Sequence, residues 1–280
     1  MNIQSAIFEG ESILKGKSIP TAKLDAEILM AKSIDKDRKY IILNNNKNLE
    51  EENLRYFKDL INERSKKKPI AYLTNKKFFW NSEFFVTLDT LIPRPDTELI
   101  IEQILKITKH KNKLNILDVG VGSGCILLSI LKEKKNFYGT GIDVSKNCLN
   151  ISKINAVNLE VNSRVRFFKS NVDKFNLGKY DLIVSNPPYI NKHVLKYLER
   201  DVINFEPRLA LDGGLDGLSE IRKVIKKSSE LIKKNGKFIL EIGFDQKNKV
   251  INLLKQKGFY INSTLRDFAN NDRCIICTKI

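Results

Sequence analysis

The chain is poor in the residues that most often carry metal or proton-transfer chemistry: 280 residues include two histidines, four cysteines and one tryptophan. His110 and His193 are isolated and read as ordinary surface or loop residues. Cys274 and Cys277 have C-x-x-C spacing, but they sit in an alternating apolar segment that ends at Ile280. In a strand, positions i and i+3 face opposite sides, so these two thiols cannot share a metal ion. No second cysteine pair or nearby histidine completes a zinc site, and no disulfide framework is expected. No run approaches ~18 consecutive apolar residues, which excludes a membrane-spanning helix. Met1-Asn2-Ile3-Gln4-Ser5 has neither the basic nor the apolar part of a secretion signal, so the expected location is the cytoplasm. Internal repeats and low-complexity tracts are lacking.

Negative charge is also in deficit. Lys and Arg number 49 against 33 Asp and Glu, a net +16, which raises nucleic acid as a partner. The excess is uneven: residues 1–92 hold 16 basic and 13 acidic side chains (+3), leaving 33 and 20 (+13) for residues 93–280. Lys, Asn and Ile are abundant throughout, so a purely compositional origin of the charge stays open beside a functional one.

The spacing predicts a small helical domain over residues 1–76. Ile3, Ile7, Ile13 and Leu14 suit a first amphipathic helix, Ser18-Ile19-Pro20-Thr21 breaks it, and Leu24, Ile28 and Leu29 restart the period. A third helix is expected over roughly Glu50 to Ser65, with Leu54, Phe57, Leu60 and Ile61 on one face. Residues 77–92 read as an aromatic-rich β-hairpin linker turning at Asn81-Ser82. In residues 93–280, strands and helices alternate from about 110 onward, which implies a mostly parallel α/β sheet covered on both faces. The last two strands, near Tyr260–Arg266 and Arg273–Lys279, have no helix between them, so one runs antiparallel.

Three local patterns carry chemistry. The first is Asp118-Val119-Gly120-Val121-Gly122-Ser123-Gly124, between a strand and a helix. Its glycines permit a tight turn and close approach of a ligand, and the helix N-terminus behind them supplies free N–H groups. The G-x-G-x-G spacing is not that of nicotinamide enzymes, and no lysine follows to make a phosphate loop, which favours a nucleoside without a pyrophosphate. The second is Asp143, at the end of the next strand, placed to accept both hydroxyls of a ribose. The third is Asn186-Pro187-Pro188-Tyr189, after the apolar run Tyr180–Ser185. An asparagine oxygen and a proline-fixed carbonyl can each accept one N–H of a planar amino group. Engaging both hydrogens frees the nitrogen's lone pair, and the Tyr189 ring offers a flat face beside it. The less specific alternative is a strand followed by a polar turn.

With these residues in place the chain resembles the class I S-adenosylmethionine methyltransferases and, more narrowly, the peptide chain release factor glutamine methyltransferases. The resemblance runs over nearly the whole length and includes Leu91-Ile92-Pro93-Arg94-Pro95-Asp96-Thr97-Glu98, Glu206-Pro207-Arg208-Leu209-Ala210-Leu211, Gly213-Gly214-Leu215-Asp216-Gly217-Leu218, Glu241-Ile242-Gly243 and residues 267–273. It departs at Val121, where threonine is usual, at Asn171-Val172, where an acid and often an aromatic residue meet the adenine, and at Asn270 in place of glycine. The resemblance implies a Rossmann-like fold and S-adenosyl-L-methionine as cofactor, held by Gly120, Val121, Gly122, Ser123, Gly124, Asp143, Val172 and Asn186. It also implies methyl transfer to the side-chain amide of the glutamine in a Gly-Gly-Gln motif of translation release factors. Asn186, Pro187 and Tyr189 would then be catalytic, Pro188 would join them in binding substrate, and the enzyme is expected to be a monomer needing no nucleic acid. Pro93-Arg94-Pro95-Asp96 would line the entrance or form a rigid corner.

Three alternatives stand beside this. An adenine-specific DNA or RNA methyltransferase uses the same grip on a flipped base, and the positive charge favours it. Against it, no sizeable insertion is available to read sequence. A ribosomal-protein glutamine methyltransferase would carry a different sequence after Pro93-Arg94. An inactive cofactor-binding adaptor would have lost part of residues 186–189, which are all present.

Overall fold

A computed structural model describes all 280 residues. They divide into two compact units, Met1–Lys76 with Glu199–Phe205, and Lys77–Leu198 with Glu206–Ile280.

The first unit contains α1 (Ile3–Gly16), α2 (Ala22–Ser33), α3 (Arg38–Leu43), α4 (Glu51–Ser65) and α5 (Ile70–Thr74). Asn2 caps α1 by accepting the Ser5 N–H at 2.8 Å, and Asp37 caps α3 by accepting the Tyr40 N–H at 2.7 Å. The three helices expected from periodicity are present; α3 and α5, of six and five residues, are too short to display a period. Leu14, Ala26, Leu29, Met30, Phe57 and Ile61 share one core. α1 and α4 cross closely at Gly10, where an added Cβ would lie 2.9 Å from the Phe57 ring. Between α2 and α4 a buried ion pair joins Arg64 Nε to Asp25 Oδ2 at 2.7 Å.

The second unit begins at the second residue of β1 (Lys76–Phe79), which pairs with β2 (Ser82–Phe85) as a two-stranded hairpin. Its turn is Trp80-Asn81, one residue earlier than expected. The Trp80 N–H donates to Glu98 at 2.8 Å and its indole N–H to Glu133 at 2.8 Å, holding Trp80 at a φ of +53°. Phe79 and Phe84 drop their rings into the core.

There follow α6 (Glu98–Ile107), β3 (Asn115–Val119), α7 (Cys125–Glu133), β4 (Tyr138–Asp143), α8 (Lys146–Asn158), β5 (Val165–Lys169) and β6 (Tyr180–Ser185). Beyond them come α9 (Arg200–Phe205, assigned to the first unit), α10 (Ser219–Leu231), β7 (Ile232–Glu241), α11 (Lys247–Gln256), β8 (Phe259–Arg266) and β9 (Asp272–Lys279). The seven strands are ordered β5-β4-β3-β6-β7-β9-β8, all parallel except β9, which runs antiparallel between β7 and β8. α6 and α9 were not expected from the sequence.

Alternation along the central strands sends side chains into two cores. Ile116, Leu182, Val184 and Ile239 pack with α6, α7 and α8, while Leu117, Ile183, Phe238 and Leu240 pack with α10 and α11. Cys274 lies in the first core and Cys277 in the second, so the two thiols of the C-x-x-C spacing face opposite sides of β9. No helix is long and apolar enough to cross a membrane.

Candidate active site

Strand order reverses between β3 and β6, which are paired with Val119 opposite Ser185. The Ser185 hydroxyl donates to the Val119 carbonyl at 2.7 Å and ties the two strand ends together. The glycine loop leaves β3 and Asn186 leaves β6 at this point, the crevice where open α/β sheets bind ligands.

Gly120, Gly122 and Gly124 have φ of +78°, +55° and +84°, values that side chains resist. An added Cβ at Gly124 would also meet Leu128 at 2.7 Å, whereas one at Gly120 would point into open space. The loop is held from behind. Gly120 and Val121 N–H groups donate to the Ile142 carbonyl at 2.9 and 3.0 Å. Ser152 on α8 donates to the Gly122 carbonyl at 2.7 Å, and Asn155 donates to those of Ser123 and Phe85, each at 2.9 Å.

Asp143 ends β4. Its carboxylate accepts the Gly122 N–H at 3.0 Å and the Ser145 N–H at 2.9 Å. Each oxygen keeps a lone pair for another donor. Burial pushes its carboxyl above the ordinary value, against the lowering effect of hydrogen bonds from Ser145, Gly122 and Val144. Val172 is buried among Ile142, Val119 and Phe175, while neighbouring Asn171 is exposed and accepts the Asp173 N–H at 3.1 Å.

Asn186 is half-buried and Pro187 buried. Asn186 Nδ2 donates to Thr97 Oγ1 at 3.3 Å, and the Thr97 hydroxyl donates to Glu241 Oε2 at 2.8 Å. Asn186 Oδ1 and the Pro187 carbonyl accept no hydrogen bond from the protein. The Tyr189 hydroxyl makes a long 3.5 Å contact to Glu241 Oε1. Glu241 is buried, which pushes its carboxyl up to about 7. Beyond Tyr189 the chain is clamped: Gln246 Nε2 donates to the carbonyls of Tyr189 at 2.9 Å and Gly217 at 3.0 Å. Backbone closes so tightly that an added Cβ at Gly213 would sit 2.8 Å from the Tyr189 carbonyl carbon and one at Gly217 2.6 Å from the Tyr189 oxygen.

Pro93-Arg94-Pro95-Asp96 runs into a short 3₁₀ turn, Pro95–Thr97. Arg94 pairs with buried Glu206, which also accepts the Ile92 N–H at 3.3 Å, and Arg273 lies 3.8 Å from Asp96 and 2.8 Å from Asp267. Asn270 has a φ of +65°, the conformation its usual glycine counterpart would adopt freely.

The structure therefore brings Gly120, Gly122, Gly124, Asp143 and residues 186–189 to one end of the sheet. It adds Thr97, Glu241 and Gln246, to which the sequence reading gave no role; their signal was their place inside or next to the recognisable segments 91–98 and 241–243.

Residues 5–74 match the PrmC N-terminal domain and residues 95–215 the methyltransferase small domain. A release factor glutamine methyltransferase of Clostridium acetobutylicum is 36% identical over 282 residues, covering 100% of this chain and 99% of that protein. One from Buchnera aphidicola is 37% identical over 282 residues, with 100% and 99% covered. A solved methyltransferase from Pyrococcus furiosus shares the fold with a TM-score of 0.53 over 80% of this chain and 98% of its own, at 19% identity. The chain belongs to the family of release factor glutamine methyltransferases.

Proposed function

We propose that Asn186 Oδ1 and the Pro187 carbonyl grip the side-chain amide of a glutamine in a translation release factor for N-methylation. The observation that carries this reading is the pair of acceptors with no protein donor at the end of β6, beside the glycine loop. The glutamine is that of the Gly-Gly-Gln motif, as the family's resemblance implies.

S-adenosylmethionine is the methyl donor and, when bound, supplies an electrophilic methyl carbon on a sulfonium. The open space at Gly120, the strained glycine backbone and the spare lone pairs of Asp143 fit such a nucleoside-bearing ligand. Gly120 to Gly124 hold its backbone-facing part, Asp143 accepts its ribose hydroxyls, and Val172 walls the adenine side.

The protein's own part is orientation. Two acceptors engage both amide hydrogens, turn the nitrogen lone pair out of conjugation and aim it. Alignment of two reactants can lower a barrier by roughly 7–11 kcal/mol. Methyl transfer leaves a cationic amide nitrogen that is strongly acidic and releases its surplus proton to solvent, so no histidine is needed. Tyr189 offers its ring to the flat amide, and Pro188 restricts the turn.

In the same reading residues 1–76 recognise the protein substrate, 77–92 join the two parts, and 93–280 carry the chemistry. An apolar groove of about 170 Å³ between α1 and α4, lined by Ile13, Leu54, Phe57 and Ile61, supports the first assignment. A release-factor substrate implies a cytoplasmic enzyme, acting as a monomer.

The test is to incubate the protein with methyl-labelled S-adenosylmethionine and either a full-length release factor or double-stranded DNA. Label on the release factor, located to the Gly-Gly-Gln glutamine by mass spectrometry, is the expected result. Label on DNA alone would replace this reading with the adenine methyltransferase.

A further inference from the structure

The reading above needs Asn186 to present its oxygen, and this inference rests on that reading. A side-chain amide has a donor end and an acceptor end of nearly equal shape, so a neighbour must choose between them. Thr97 has one hydroxyl proton, and that proton goes to Glu241 Oε2 at 2.8 Å. Toward Asn186, Thr97 can then only accept, and Nδ2 meets it at 3.3 Å. A carboxylate is acceptor-only, so the direction of both bonds originates at Glu241.

We propose that Glu241 and Thr97 are positioning residues whose shared direction of hydrogen bonding turns Asn186 Oδ1 toward the reacting nitrogen. Reversal has a defined consequence. When Glu241 takes one proton from solvent, its carboxyl donates to Thr97, the Thr97 hydroxyl donates to Asn186, and the amide rotates. Asn186 then presents Nδ2–H to a substrate N–H, and the grip becomes a repulsion. Only that proton and the hydrogen bonds change; no covalent bond between heavy atoms forms or breaks.

The groups facing Glu241 are Asp96 on the 3₁₀ turn, Arg273 and Cys274 on β9, Tyr189 after β6 and Cys125 on α7. Asp96 raises and Arg273 lowers the Glu241 carboxyl. Burial pushes the Tyr189 hydroxyl and the Cys125 and Cys274 thiols upward, so they stay neutral near pH 7, where Glu241 itself titrates. Asp118 is also buried and pushed up to about 7, which makes it the needed control.

Two readouts test the relay: the ¹H–¹⁵N side-chain amide signal of Asn186 in the free enzyme, and kcat and KM with full-length release factor, both across neutral pH. In the wild type the amide signal and kcat/KM for release factor, both reporting the free enzyme, are expected to share a midpoint near 7, with KM for S-adenosylmethionine unchanged. Glu241→Gln should abolish both titrations, while Asp118→Asn keeps that of the amide. Thr97→Val should lower kcat about 10²-fold, the loss typical of one misdirected stabilising group, and Thr97→Ser should restore it. A flat Asn186 signal in the wild type overturns the proposal, as does one that still titrates in Glu241→Gln, or a Thr97→Val enzyme with wild-type kcat. If Thr97→Val does not fold, the amide titration of Glu241→Gln decides. A wild type that leaves the release factor unmethylated, while its amide titrates through Glu241, sinks the functional reading and leaves the relay standing.

Discussion

Asp143 and Asn186 follow strands on either side of β3 at one end of the sheet, yet should fail differently when truncated. Asp143→Ala removes the carboxylate proposed to accept the ribose hydroxyls, and hydrogen bonds to a charged group are worth about 1.5–3 kcal/mol. S-adenosylmethionine affinity measured by calorimetry is expected to fall ~10- to 100-fold; unchanged affinity would refute the role. Asn186→Ala leaves the glycine loop and Asp143 intact. Its kcat should drop on the order of 10²- to 10³-fold, far more than cofactor affinity, and equal loss of both would count against the grip. The glycine loop and Asn-Pro-Pro-Tyr were legible in the chain because each depends on backbone conformations that nearest neighbours impose. Thr97, Glu241 and Gln246 were opaque because their partners lie far along the chain. Thr97 meets Glu241 across 144 positions, Asn186 meets Thr97 across 89, and Gln246 meets Tyr189 across 57.

Most of the longer helices and strands followed hydrophobic period, although the ten-residue α6 did so without being read from the sequence. β6, Tyr180–Ser185, has the bounds its apolar run announced, whereas α3 and α5 offer barely a turn each. The turn after β6 is positioned by pieces from elsewhere, and Gln246 is the one most exposed to test. Gln246→Ala strands two carbonyls, those of Tyr189 and Gly217. Each buried unsatisfied acceptor costs about 1–3 kcal/mol, so a lower melting temperature and reduced kcat are expected together. Retained kcat would show that the clamp does not set the Asn186 geometry. In the helical unit, Asp25→Ala leaves Arg64 charged and unpaired between α2 and α4. Breaking one side of a buried pair costs about 3–5 kcal/mol, which urea denaturation followed by circular dichroism would detect.

For the chain as a unit in solution, buried carboxyls set how stability responds to pH. Burial raises Asp118 from an ordinary 3.8 to about 7, so the folded form holds this proton more tightly than the unfolded form. Its contribution to stability is therefore full below the unfolded value and lost as pH rises through the folded one. The integrated cost at higher pH is on the order of 4 kcal/mol at most. Asp118→Asn keeps an acceptor for the Leu127 N–H that the carboxyl now receives. The variant should melt higher than wild type at about pH 8 and nearly alike at about pH 4, the two limits set by those values. A uniform shift at both would remove ionisation as the cause.

The antiparallel strand has a bearing on how the enzyme is made. β9 is synthesised last of the seven strands, yet it is inserted between β7 and β8 and brings Cys274 opposite Glu241. A nascent polypeptide that has emerged only as far as β8 still shows an unpaired β7 edge and has no Arg273 beside Asp96. The pairings of Glu241 with Cys274 and of Asp96 with Arg273 therefore form only once β9 has been made and inserted, after every other strand of the sheet.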